Sequence, residues 1–446
     1  MKNYVYIETY GCAANQNNSE IIAGLLKQNG YEITNNINLA EIIIINSCVV
    51  KGKTKTKIFR RIQDLARTHK NELLIIAGCM PEIYSDQIKK LNPKSIFLGI
   101  HHIKAIAKLI NDFHNNQLDA KKQNEFLNHQ NEEKIALPKI PKNKLISITQ
   151  ISEGCIGKCT YCLTRIAKGQ LFSYPLDKIL SSVQSDLQQG AKEIWITSQD
   201  CASYGLDKNK YLLPELLKKI LALKHKFKLR LGMMNPNNLV QIQDEILNLY
   251  HSKKMYKFLH IPIQSASDKI LKDMNRQYEI KQAEEIISKF RKEFPEITIS
   301  TDVIIGYPEE TEKDFQENIN FVKEFKPDIF NLSKFSPHKR TEIYEQMKKN
   351  KIKEFSKSII NKRTAKIMQL HRQTAMENKK IFLGKVIQVL INKKTNIQNV
   401  YESRDDNYNI VLIKSHDKSI LGKNINVKIK QLGVHHMIGE VSGLIE

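Results

Sequence analysis

The stretch Gly154-Cys155-Ile156-Gly157-Lys158-Cys159-Thr160-Tyr161-Cys162 crowds three thiols into one short loop, directly behind the apolar run LISIT at 145–149. A strand here must hand its end to a turn that gathers three sulfurs. Thiolates so spaced suit iron–sulfur ligation, since three can hold three irons of a four-iron cluster and leave the fourth iron open to a small molecule. Zinc is a poorer match, because a closed zinc site wants a nearby fourth ligand.

LISIT is the first of a series. EIWIT at 193–197, LRLGMM at 229–234, FLHIPI at 258–263, DVIIG at 302–306 and IFNLS at 329–333 each end in polar or small residues, with amphipathic helical segments between them. Six such units predict a barrel-like parallel sheet, a partial (β/α)6 barrel over residues 145–375, with its chemistry at the strands' carboxyl ends. An open doubly wound sheet is the alternative.

Upstream, residues 1–112 show the same alternation on a smaller scale. Apolar runs at 4–9, 42–46 and 73–77 lead into Gly11-Cys12, Ser47-Cys48 and Gly78-Cys79, with helical periodicity at 19–28 and 56–68 between them. This is the pattern of an open parallel α/β sheet, and it leaves Cys12, Cys48 and Cys79 just past strand ends, about one βαβ unit apart. Neighbouring strands would bring the three sulfurs together as a second cluster site; three separate buried cysteines are the alternative. Residues 113–144 turn to Asn, Gln, Lys and Glu and end in LPKIPKNK, which reads as a linker that buries little apolar surface. After a Lys-rich helical stretch at 345–379, short alternating strands such as NYNIVLIK and NINVKIK predict a small β-barrel at 380–446, a shape that often binds oligonucleotides. The fold class is therefore α/β with a terminal β-barrel.

With Lys+Arg 70 against Asp+Glu 47, the net charge of +23 favours a polyanionic partner. No long apolar stretch supports a membrane span, and MKNYVYIETYGC lacks the core of a signal peptide, so no membrane association and a cytoplasmic location are expected. In that compartment the seven cysteines are metal ligands or catalytic groups rather than disulfides. The run Lys51, Lys53, Lys55, Lys57, Arg60 and Arg61 is either a phosphate contact or a solvated helix face. Asp200 either caps the next helix or, with Gln199, hydrogen-bonds a bound ligand's amino group, and Cys201 reads as packing, with contact to the active site as the alternative.

The CxxxCxxC spacing resembles the signature of radical S-adenosylmethionine (SAM) enzymes. Together with ETYGCAANQNNSE at 8–20, INSCVV around Cys48 and AGCMP around Cys79, it makes the chain resemble, over nearly its whole length, the methylthiotransferases of that class. Their order is an amino-terminal domain with three cysteines, a radical SAM domain and a terminal TRAM domain. The resemblance is strongest to the archaeal and eukaryotic branch acting on tRNA that carries N6-threonylcarbamoyladenosine. It is carried by VKGKTKTK at 50–57, EIWITSQD at 193–200, ASYGLD at 202–207, RLGMMNP at 230–236, YKFLHIPIQSAS at 256–267, MNRQY at 274–278 and TDVIIGYPEET at 301–311.

The resemblance implies two 4Fe-4S clusters and SAM as cofactors. Cys155, Cys159 and Cys162 would hold the cluster at which SAM is cleaved to a 5′-deoxyadenosyl radical, and Cys12, Cys48 and Cys79 the auxiliary cluster. Tyr161 would lie beside the adenine, and Gln199, Asp200 and Gln264 would contact SAM. The implied reaction puts a methylthio group on C2 of the modified adenine at position 37, giving 2-methylthio-N6-threonylcarbamoyladenosine. Its partners are a tRNA anticodon stem-loop, an electron donor and a sulfur source. Isopentenyladenosine tRNA or a ribosomal protein is the alternative substrate, and a non-enzymatic RNA-binding zinc protein the alternative class. Two departures from the family pattern bear on substrate positioning more than on the core chemistry: Ala266 stands where glycine is usual and constrains the backbone, and FSPHKRTEI at 335–343 replaces a run with Arg-Pro-Gly-Thr.

Overall fold

The computed structural model describes residues 3–48, 52–119, 123 and 125–444, with backbone alone at 52–54 and 444. Strands β1 (Tyr4–Thr9), β2 (Glu32–Thr34), β3 (Ile42–Ser47), β4 (Leu73–Gly78) and β5 (Ile96–Gly99) form one parallel sheet in the order β2-β1-β3-β4-β5. Every residue of IIIINS in β3 and LLIIAG in β4 is buried, as central strands covered on both faces must be. Alternate side chains feed two cores: Ile42, Ile44 and Ile75 on one face, Ile43, Ile45 and Ile76 on the other.

All six apolar runs of the central region are strands. After β6 (Ile146–Gln150), the short antiparallel pair β7 (Ser152–Glu153) and β8 (Phe172–Ser173) flanks the cysteine loop. β9 (Glu193–Thr197) and β10 (Lys228–Leu231) join β6 in one parallel sheet, and β11 (Phe258–His260), β12 (Thr298–Ile305) and β13 (Ile329–Lys334) make a second. The two meet through a parallel Leu229–Met255 bridge and a hydrogen bond from the Met234 N–H to the His260 carbonyl (2.9 Å), giving a partial barrel in chain order. The seam falls between β10 and β11, where Pro262, two residues past the end of β11, has no N–H to extend the ladder.

Two helices, Glu342–Lys349 and Lys357–Lys379, replace the single Lys-rich one expected, and Ser356 caps the second by accepting from the Ile359 N–H. β14 (Val386–Lys394), β15 (Val400–Arg404), β16 (Ile410–Lys414), β17 (Asn424–Leu432) and β18 (Met437–Leu444) then close a barrel in the order β14-β15-β16-β18-β17. It docks where the central strands begin. Asn392 donates to Glu193 at the head of β9 (2.6 Å), and the Tyr408 ring packs on Tyr256 (5.0 Å) and Phe258 (4.8 Å) at the head of β11.

Residues 113–144 depart from the expectation that they bury little. Gln123 brackets the backbone of Phe97 with both amide atoms (3.1 and 2.9 Å), so one side chain completes the exposed ladder of β5. Phe126 is 5% exposed, Glu132 accepts from the N–H groups of Ile103 and Lys104, and Lys134 pairs with Glu153 inside the radical domain. The segment is a strap tied to both domains. Among the described residues, no helix is long and apolar enough to cross a membrane.

Candidate active site

Cys12 caps helix α1 (Ala13–Gln28), Cys48 follows β3 directly, and Cys79 opens the helix Cys79–Leu91 behind β4. Because β1, β3 and β4 are neighbours about 4.8 Å apart, the carboxyl edge of the sheet lines the three thiols up. An amide network sets their spacing. Asn15 donates to the Ser47 carbonyl (3.2 Å), and Asn46 donates to the Asn15 carbonyl and the Ser19 hydroxyl (both 2.8 Å), while the Cys12 thiol donates to Asn15 Oδ1 (3.3 Å). Gly78 has φ +89°, and a Cβ there would stand 2.4 Å from Asn46 Oδ1, so the approach of β4 to β3 requires glycine. Burial pushes the Cys79 thiol up, the Lys168 charge opposes it, and Cys48 and Cys12 add to it. A Cβ on Gly11 would stand 2.7 Å from Cys48 Cβ and one on Gly78 2.5 Å from the Ser47 carbonyl oxygen, so the segments that carry the three cysteines adjoin.

The second triplet sits at the carboxyl end of the central strands. Gly154 (φ +72°) has no room for a Cβ, which would fall 1.9 Å from the Gln170 carbonyl oxygen; the Cys155 N–H donates to the Gly169 carbonyl (3.3 Å). Donors point at each sulfur: the Gly157 N–H at Cys155 (3.3 Å), the Thr164 N–H at Cys162 (3.3 Å) and Arg276 Nη1 at Cys159 (3.5 Å). Burial pushes Cys155 up to about 12 and also raises Cys162. Among the described residues, no group of three or more His, Cys, Asp or Glu is set to hold a single metal ion. Each triplet offers sulfur ligands alone; in the second, N–H donors also aim at all three sulfurs, the donor chemistry that suits an iron–sulfur cluster.

Around this loop, the Tyr161 ring stands edge-on to Tyr307 (6.3 Å). Gln199, at the end of β9, leaves Oε1 buried without a hydrogen-bond partner, an acceptor that suits an ammonium donor. Asp200 is already occupied. It accepts from the N–H groups of Ala202 (3.1 Å) and Asn235 (2.9 Å) and from the amides of Asn235 (3.0 Å) and Asn238 (2.6 Å). It thus caps the turn Cys201–Ser203 and holds Asn235, whose Oδ1 accepts from Arg276 Nη2 (2.6 Å). Cys201 is fully buried among core residues, as packing requires.

Both departures resolve physically. Gln264, with φ +65°, takes the left-handed turn, while Ala266 is absent from the positive-φ positions and its N–H donates to Asn318 (2.8 Å). The expected constraint at Ala266 therefore does not arise. The 335–343 segment meets the helix Cys79–Leu91: His338 hydrogen-bonds the Tyr84 hydroxyl (3.1 Å) and Arg340 donates to the Glu82 carbonyl (3.0 Å). Of the basic run, Lys51 and the Lys53 side chain lie outside the described residues. Lys55 and Lys57 lie over the Tyr84 and Tyr10 rings, Arg60 is exposed, and Arg61 is paired with Glu8 (2.6 Å), so Arg61 is not free for phosphate.

Sequence reasoning missed three groups. Glu153, next to Gly154-Cys155, pairs with Lys134 and with Lys168 (2.6 Å), all buried. Burial works against its charge, but the two ammonium groups hold its carboxyl well below the usual range. Arg276 was visible only as a letter of MNRQY. His260 donates to Asp302 (2.6 Å), and the HIP of FLHIPI was the available signal.

Comparison with known proteins places the chain in a family. The profile of an uncharacterized protein family designated UPF0004 matches residues 4–99, and that of the radical SAM superfamily matches 149–322. A probable threonylcarbamoyladenosine tRNA methylthiotransferase of Pyrococcus horikoshii is 35% identical over 98% of this chain and 99% of its own. The threonylcarbamoyladenosine tRNA methylthiotransferase of Homo sapiens is 32% identical over 98% of this chain and 73% of its own. Among solved structures, the radical SAM methyltransferase TsrM of Kitasatospora setae, with a tryptophan substrate and SAM analogue bound, matches at TM-score 0.58 and 10% identity, covering 78% of this chain and 76% of that one. That likeness is one of fold. The identity to the relatives extends across all three regions, and the chain belongs to the threonylcarbamoyladenosine tRNA methylthiotransferase family.

Proposed function

We propose that this protein replaces the C2 hydrogen of N6-threonylcarbamoyladenosine at tRNA position 37 with a methylthio group. The observation that carries the reading is the meeting of two cysteine edges: Leu163 and Ala167, which follow Cys162, pack in one buried cluster with Cys79 and Met80. When bound, the two 4Fe-4S clusters and SAM supply the radical and the sulfur that an unactivated C–H bond requires.

The chain's own residues hold and orient. Cys155, Cys159 and Cys162 would ligate the radical-site cluster, with Arg276 fixing the direction of the Cys159 sulfur; Cys12, Cys48 and Cys79 would ligate the auxiliary one. Gln199 Oε1 would accept from the methionyl amino group, Tyr161 would flank the adenine, and Gln264 would line the same strand edge. Asp200 acts through Asn235 and is a positioning residue. Buried Glu153, Lys134 and Lys168 tie the 113–144 strap to the radical domain beside the two sites. The net charge of +23 and the terminal barrel suit an anticodon stem-loop whose loop bases are unpaired. An electron donor and a sulfur source complete the partners, and the cytoplasm is the compartment proposed.

Mass spectrometry of tRNA nucleosides from cells with and without the gene tests this. Its loss should remove 2-methylthio-N6-threonylcarbamoyladenosine and leave the unthiolated nucleoside in its place. Unchanged levels would refute the proposal, and loss of a thiomethylated isopentenyladenosine would reassign the substrate.

A further inference from the structure

A cavity of about 460 Å³ opens where the 113–144 strap, the residue pair His101-His102 behind β5 and the cysteine loop of the radical domain meet. Its walls include His101, His129, Gln130, Arg165, Lys168 and Gln170. This volume lies within the range of small-molecule sites. Gly169 borders it with φ +72°, and the His129 and His101 rings face it across the gap at contact distance, 3.5 Å to His129 Nδ1 from where a Cβ would stand.

The charges are uneven. Glu153 is matched by Lys134 and Lys168, and Glu132 accepts from the N–H groups of Ile103 and Lys104. Arg165 is half-buried, and no ion pair or side-chain hydrogen bond among the described residues engages its guanidinium. His101 is 5% exposed, and its Nε2 is buried without a partner. The cavity therefore presents a planar cationic fork and an unsatisfied ring nitrogen, a set that matches a carboxylate.

Position makes the ligand specific. The Gly169 carbonyl accepts from the Cys155 N–H, and Ala167, two residues earlier, packs in one buried cluster with Cys79, so the cavity borders both cysteine edges. On adenine, C2 and the N6 substituent share one edge of the ring, so a base presented by C2 sends its N6 arm into the adjoining space. The arm of threonylcarbamoyladenosine ends in an amino-acid carboxylate a few bonds from N6.

We propose that this cavity holds the threonyl carboxylate of the substrate base through Arg165, with His101 and His129 beside it, and so selects the N6-threonylcarbamoyl group. This rests on the function proposed above.

The test compares two anticodon stem-loops, one carrying threonylcarbamoyladenosine and one with the carboxylate reduced to a hydroxymethyl group. Each is titrated against the anaerobically reconstituted full chain. The wild type should bind the carboxylate RNA ~10- to 100-fold more tightly, the range of a charge-assisted hydrogen bond to a buried partner. Arg165→Gln should bring the ratio to near one, Arg165→Lys should keep part of it, and His129→Ala, at an exposed position, should lower it partially. Because the ratio is read within one protein, altered folding or phosphate contacts cancel. A wild type without preference, or Arg165→Gln with the full preference, overturns the inference. Failure of the proposed function would appear separately, as unchanged nucleosides in the cellular assay.

Discussion

Replacing Glu153 by Gln tests the charge reasoning at the domain junction. The side chains of Lys134, Lys168 and Glu153 are 1%, 5% and 3% exposed, so two ammonium groups share one carboxylate out of water. Glu153→Gln leaves both cations unmatched, a loss worth about 3–5 kcal/mol. Lys134→Met removes one of two like charges and leaves the Lys168–Glu153 pair intact. Its main cost is the Ile100 carbonyl, which loses the Lys134 ammonium at 3.2 Å, worth about 1–2 kcal/mol. The assay is urea unfolding of the full chain followed by Trp195, the one tryptophan, whose Nε1 donates to Glu193 (2.9 Å) in the radical domain. Glu153→Gln should lower the midpoint by about 1–2 M, and Lys134→Met by less than half of that. Only midpoints are compared, since a multidomain chain need not unfold in two states. If Lys134→Met costs as much as Glu153→Gln, counting charges is the wrong account of this cluster.

Cys155→Ala should abolish reductive cleavage of SAM, whereas Cys48→Ala should spare it and stop formation of thiomethylated RNA; chromatography of 5′-deoxyadenosine and of nucleosides reads both. Gly154→Ala, forced against the Gln170 carbonyl, should lower iron bound on reconstitution from about eight per chain toward four. Burial raises Glu82 to about 8 against a usual 4.5. Between those values the folded chain keeps a proton that the unfolded chain has released, so stability falls as pH rises from about 5 to 8. Glu82→Gln should flatten that fall in thermal unfolding across the interval.

The strands were legible because two-sided burial demands continuous apolar sequence, as in IIIINS and LLIIAG, and a cysteine behind each marked the working edge. Helix α1 was placed too late. Its first residues, AANQNNSE, look like a loop, yet Asn15 and Ser19 are buried because Asn46 satisfies them from 31 and 27 positions away. The strap misled for a related reason: composition averages over a window, while Gln123 and Glu132 each serve specific backbone groups. Arg61 looked free until Glu8, remote in sequence, met it. Pairings among separated polar residues leave no period to read, and the Glu153 cluster is of this kind.

The terminal barrel sits at the heads of β9 and β11, and the Cys155 loop lies at the opposite edge of the same strands. Five residues of β9 put those edges about 17 Å apart. The radical domain is thus a gauge block. On the function proposed above, an RNA gripped at the barrel would offer to the cysteines only the nucleotide lying that fixed offset farther on, so the height of a sheet would choose which base along the loop is within reach.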